Sequence, residues 1–151
     1  GENEMAFLNS LNIGGSALSA QRLRMDIIAQ NLANSQTTRT ESGEPYRRQQ
    51  VVFAERGNFS NVLASKMAGK RGNSHLSGVV VAEVVEDETP LKPVYDPTHV
   101  DADENGYVYM PNVDTAKEQI DLMAATRSYD ANITVVNAVK SMAVKALQIG
   151  K

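Results

Sequence analysis

Six consecutive residues, Asp101-Ala102-Asp103-Glu104-Asn105-Gly106, match the first half of a calcium-binding EF-hand loop, D-x-D-x-N-G. Such a loop gathers oxygen ligands around the ion and needs a glycine at its sharp turn. Its twelfth position should supply a bidentate Glu, and here that position is Asn112. The residues before it, Tyr95-Asp96-Pro97-Thr98, do not read as a helix. The segment is therefore expected to be an Asx-rich turn leading into a strand, with a calcium-regulated module as the competing reading. His75 and His99 are the only histidines and lie 24 residues apart, so neither has a second imidazole at metal-ligand spacing. His99, flanked by Asp96 and Asp101, has the neighbours of an acid–base group, but a loop histidine hydrogen-bonded to those acids is the simpler reading. No G-x-S-x-G elbow, dinucleotide fingerprint or phosphate loop occurs. Arg47-Arg48 and Lys70-Arg71 read as solvated pairs. Nothing here amounts to a catalytic constellation, and no cofactor or metal is expected.

The elements that hold these residues follow from proline. All five prolines fall between positions 45 and 111, and a proline inside a helix costs about 3 kcal/mol. Both ends are free to be long helices, and the middle is not. Over 8–34, Leu18, Met25, Ile28 and Leu32 lie on one face, and Leu11 extends it a heptad back. Ala20, Leu23 and Ile27 form a second apolar edge, while Arg22, Asp26 and Gln30 should meet solvent. Small residues around Gly14 and Gly15 weaken this helix but allow a neighbouring backbone to come close. Asn31 and Asn34 read as residues that cap its end.

The second helix is predicted over 115–149. Thr115-Ala116-Lys117-Glu118 fits a capping box, and Gly150 a stop. Val135, Val139, Met142, Ala146 and Ile149 form one apolar stripe; Ile133, Val136, Ala143 and Leu147 form another. Together they cover an arc of about 200°, against the ~100° of an ordinary surface helix. One partner helix cannot cover that, so other subunits are expected to supply the rest. Asn132 and Gln21 could set the register between helices. The expected fold is α+β: long N- and C-terminal helices pairing as a coiled-coil-like arm, with a small β-rich middle. Residues 5–45 hold the first helix and its loop, 46–111 the middle, and 112–151 the second helix. Residues 1–4 read as a remnant ahead of a start at Met5. Strands are expected at Gln49–Phe53, Val79–Val85, Leu91–Tyr95 and Tyr107–Met110. Residues 57–78, with a short helix near Val62–Met67, are expected to be the most mobile.

Composition narrows the function. The chain has 151 residues, net charge −3, 5% aromatic residues and no cysteine. Disulfides and thiolate chemistry are excluded. No basic stripe suggests nucleic acid, no apolar run spans a membrane, and the N-terminal residues do not resemble a cleaved signal.

Ala29 to Thr38, with Asn31, Leu32, Ala33 and Asn34, resembles the N-terminal motif of bacterial flagellar rod and hook axial proteins. Further blocks resemble the proximal-rod members of that family: Tyr95-Asp96-Pro97, Asp101 to Val108 with Gly106 and Tyr107, and Pro111-Asn112. Ala125 to Asn132, with Arg127 and Tyr129, and Lys140-Ser141-Met142 continue the likeness. Val100 stands where the family often has Pro. The resemblance implies a structural, non-enzymatic rod subunit of the flagellar basal body in the periplasmic space. It implies export by the flagellar type III apparatus without a cleaved signal, and terminal helices packed around an axial channel. Implied partners are other copies of the chain and other proximal and distal rod proteins. A soluble helical adaptor binding one partner groove is the competing reading.

Overall fold

The structure, a computed structural model, describes residues 2–56 and 78–149. The readings on 57–77, including His75 and the short helix, lie outside them. The order is α1 (Glu2–Ala33), β1 (Gln49–Glu55), β2 (Val79–Glu86), β3 (Lys92–Tyr95), β4 (Tyr107–Met110) and α2 (Thr115–Ile149). This is the expected α+β architecture, with two long terminal helices around a small β-rich middle. Helix α1 starts six residues earlier than predicted. The acidic sequence at 2–4 suits a helix N-terminus, and the helix runs through Gly14 and Gly15 without a break.

Two separate two-stranded sheets form the middle, β1 with β2 and β3 with β4. The β3–β4 pair is antiparallel, matching Pro93 with Tyr109 and Tyr95 with Tyr107. Its turn is the Asx-rich structure expected. Asp103 Oδ1 accepts the N–H groups of Asn105 and Tyr107, both at 2.8 Å, and Gly106 closes the turn at φ +80°, a region only glycine enters freely.

The chain divides into two compact units. The first holds Gly1–Arg22, Phe53–Ala82 and Arg127–Lys151; the second holds Leu23–Val52 and Glu83–Thr126. In the second unit α1 and α2 run antiparallel. Met25 Sδ accepts the Thr126 hydroxyl at 3.6 Å, and Asn31 meets Glu118. Ile27, Ile28, Val108, Val113 and Ala125 are buried there. In the first unit Gly14 is the point of close approach: a Cβ at that position would stand 2.6 Å from Val136 Cγ2. A side chain at Gly78 would overlap Ser16 Oγ, which accepts the Val79 N–H at 3.1 Å. The small residues of α1 thus admit β2 and α2, although Gly15 has open space around it.

One local prediction fails. Thr115 and Glu118 do not form a capping box. Asp114 caps α2, its Oδ1 accepting the Ala116 and Lys117 N–H groups at 3.0 and 3.3 Å. Glu118 is drawn inward by partners that α2 does not contain.

Candidate functional site

Glu118 lies one turn into α2 and has no solvent exposure. Leu122, Ala125 and Tyr129 follow it at helical spacing, so it occupies the inward phase of the helix. A buried carboxylate is costly unless paired and hydrogen-bonded. Here Glu118 Oε1 accepts Arg48 Nε at 2.6 Å, and Oε2 accepts Asn31 Nδ2 at 3.0 Å. Arg48 also meets Asp87 at 3.4 Å and Asp121 at 3.6 Å.

Asn31 ties the ion pair to the backbone. Its Nδ2 also donates to Gln49 O at 2.8 Å. Its Oδ1 accepts Gln49 N–H and the Tyr46 hydroxyl, each at 2.9 Å. Both donor hydrogens and both acceptor sites of the amide are used. The loop after α1 delivers these partners: Asn34 holds Gln30 O through its side chain at 3.0 Å, and Tyr46 N–H returns to Thr37 O at 3.1 Å. Asn112 performs a second bridge. Its Oδ1 accepts Arg48 N–H at 2.8 Å, and its Nδ2 donates to Asp87 O at 2.9 Å and Thr89 Oγ1 at 2.9 Å. Burial raises the Tyr46 phenol above its ordinary value, and the nearby Glu118 and Glu86 charges add to it. Burial opposes the charged form of Arg48, but Glu118 and Asp87 outweigh it and hold the proton more tightly. Thr89, through its N–H and hydroxyl, holds the Asp87 carboxyl below the usual range.

This knot joins α1, β1, the β2–β3 connection and α2. Sequence reasoning treated Asn31 as a helix-end cap, Asn112 as the residue in place of a calcium-binding Glu, and Glu118 as part of a capping box. The available signal was phase: Asn31 follows Ile28 by three residues, and Glu118 precedes Leu122 by four, so both sit on inward stripes.

Elsewhere the acidic turn is occupied by the protein's own bonds. Asp101 Oδ2 accepts the Thr38 hydroxyl at 2.8 Å. His99 Nδ1 accepts the Asp101 backbone N–H at 3.1 Å, so its ring bonds to the chain rather than to an acidic side chain. Asp96 is held below the usual range by the Thr98 hydroxyl and N–H. Among the described residues no helix is long and apolar enough to cross a membrane.

Along α1, Leu11, Leu18, Met25 and Leu32 are half-buried and Ile28 is buried. Along α2 the two predicted stripes re-sort. Ile133, Val136, Val139 and Ala143 are half-buried, whereas Val135, Met142, Ala146 and Leu147 are exposed. Ile149 ends α2, and its side chain lies outside the described residues. Tyr129 and Asn132 share the half-buried row; Arg127 and Lys140 are exposed. Pro111 is buried, Asn34, Asp96 and Gly106 are half-buried, and Ala33, Tyr95, Pro97 and Tyr107 are exposed. Leu147, with 75% of its surface open, is the most exposed of the large apolar residues on α2 among the described residues.

The likeness to known proteins covers both helices. Residues 11–39 match the family model of the flagella basal body rod protein. Residues 104–149 match that of the flagellar basal body rod FlgEFG protein C-terminal region. The flagellar basal-body rod protein FlgC of Bacillus subtilis is 50% identical over 152 residues, covering 97% of this chain and 100% of the relative. FlgC of Salmonella typhimurium is 45% identical, with coverage of 97% and 100%. FlgC of Borreliella burgdorferi is 43% identical, with 96% and 98%. At that identity over nearly the whole of each chain, this chain belongs to the FlgC family of flagellar basal-body rod proteins.

Proposed function

We propose that the chain is a structural, non-enzymatic subunit of the flagellar proximal rod, polymerising through its terminal helices. In this reading the polymer spans the periplasm as a drive shaft, transmits torque and encloses the export channel. The supporting observation is the open face of α2, where Val135, Met142, Val144 and Leu147 are exposed in a single chain. Burying each such side chain is worth about 1.5–3 kcal/mol. Repeated around a tube, these contacts make a stiff polymer from units that α1 alone cannot cover. The packing residues are Leu11, Leu18, Met25, Ile28 and Leu32 on α1, with Ile133, Val135, Val136, Val139, Met142, Ala143, Ala146, Leu147 and Ile149 on α2. Partners are further copies, the other proximal-rod proteins, the distal rod, and the type III export apparatus that delivers the chain without a cleaved signal.

Mass spectrometry of purified hook–basal bodies, beside electron microscopy of the same preparation from a strain lacking the gene, tests this reading. The chain is expected in the particles, and its loss is expected to remove the rod. Intact rods that form without it would overturn the reading and favour a one-to-one helical adaptor.

A further inference from the structure

The β3–β4 register places Pro93, Tyr95, Tyr107 and Tyr109 on one face, because directly opposed and alternate residues share a side. All three tyrosines are exposed, Tyr95 by 65%. Tyr95 and Tyr107 meet edge to face, with centroids 5.3 Å apart. The whole chain has eight aromatic residues, so three of them gathered on one bare hairpin face is a concentration. Tyrosine on a surface offers a large apolar body with a polar tip, the composition of an interface anchor.

Charge says what covers this face. The second unit, which contains the hairpin, holds fourteen Asp/Glu and six Lys/Arg, a net of −8. The first unit holds four and nine, a net of +5. Asp103 and Glu104 are exposed at the Tyr107 end of the hairpin, beside half-buried Asp96. Lys92, at the other end, is engaged with Val113 O at 3.1 Å. In the first unit Asn137, Lys140, Ser141, Val144, Lys145 and Gln148 of α2 line an open groove of about 500 Å³. Among the described residues, the three tyrosines of the hairpin face and both lysines of the groove are exposed.

We propose that the tyrosine face of the β3–β4 hairpin in one copy docks on the Lys140–Lys145 groove of α2 in the next. The proposal deepens the rod reading and rests on it. Lysine ammonium groups are attracted to aromatic faces, the acidic rim pairs with them, and Val144 packs against the ring bodies. Opposite net charges on the two units steer the encounter and disfavour like-to-like docking. The contact joins two different patches, so it is heterologous and passes from copy to copy instead of closing as a two-fold dimer.

The chain has no cysteine, so Tyr95→Cys and Lys145→Cys introduce unique handles. A chain carrying both is expressed in the rod-forming strain, and isolated basal bodies are treated with a bis-maleimide. The expected result is a ladder of covalent oligomers, absent from either single variant, lost with Lys140→Glu and restored when Glu104→Lys accompanies it. If the first pair does not enter rods, Glu104→Cys with Gln148→Cys, both on exposed positions, gives the same ladder. Basal bodies that contain either doubly substituted chain in normal amount but yield no ladder overturn the docking and leave the rod reading standing. A cross-linked dimer of the chain from Tyr95→Cys alone overturns it in favour of a like-to-like contact. Absence of the unsubstituted chain from basal bodies overturns both readings.

Discussion

The two units solve opposite problems. Among the described residues, the second buries Ile27, Ile28, Val108, Val113 and Ala125 around a fully bonded polar knot. Among its described residues the first buries only Gly14 and Ala20 and leaves Val135, Met142, Val144 and Leu147 open. Helix α2 contributes to both, so the contrast is not one of helix propensity. Its first turns have Arg48, Asn31 and Met25 as partners; its later turns have the thin, glycine-bearing part of α1. A closed core and an unfinished one are thus strung on a single helix, as expected of a subunit that is folded before assembly and completed by it.

Breaking the knot should hurt most. Arg48→Met leaves the unexposed Glu118 without its 2.6 Å partner, a change expected to cost about 3–5 kcal/mol in the soluble chain. Urea denaturation reads the loss, and adding Glu118→Gln should recover most of it. A drop under ~1 kcal/mol would mean the pair behaves like an exposed one. Asn31→Ala comes next. It strands Tyr46 and Gln49 groups that now bond to the amide, and about 1–3 kcal/mol should be lost. Gly14→Ala sets a collision with Val136 against the better helix propensity of alanine, for a net loss of about 1 kcal/mol. Amide exchange should quicken near position 14 and stay slow around Ile28; uniform quickening would mean the two units do not melt separately.

Acid should act more gently. The folded state depresses the Asp87 carboxyl, so the unfolded chain binds the proton more readily. The contribution is complete above the ordinary carboxylate value of about 3.9 and fades as pH falls through the depressed one. Acid titration of Asp87→Asn should show a shallower decline in that window; an unchanged slope would remove Asp87 from the account. Smallest of all is Met142→Lys. The side chain is exposed, so soluble stability should stay within ~0.5 kcal/mol, yet the variant should be missing from rods. Normal incorporation would show that this face is not an assembly surface.

Much of the fold was legible because it is written locally. Prolines confined to the middle, and apolar steps of three and four at both ends, placed the two helices; Tyr107–Met110 came out as predicted because β-formers follow a glycine turn. The knot was not legible for the converse reason. Glu118 satisfies a capping pattern with Thr115, and Arg48 and Asn31, 70 and 87 residues away, draw it elsewhere. The split of α2 into half-buried and bare rows also escaped periodicity. Both predicted stripes are apolar, and only the packed partner reveals that Val136 and Val139 turn inward while Val135 and Met142 do not.

The bonds of Asn31 span very different lengths of chain. Those to Tyr46 and Gln49 close 15 and 18 residues, whereas the one to Glu118 closes 87. Loop-closure entropy grows with the logarithm of length, so the long closure costs about 1.4 kcal/mol more than the 18-residue one. The amide is therefore expected to acquire its neighbours in sequence order, with the end of α1, its loop and β1 forming a socket before α2 arrives. Asn31 would then record the history of the chain as well as its final geometry: three of its four bonds can be made by the first third of the sequence, and the fourth waits for the last helix.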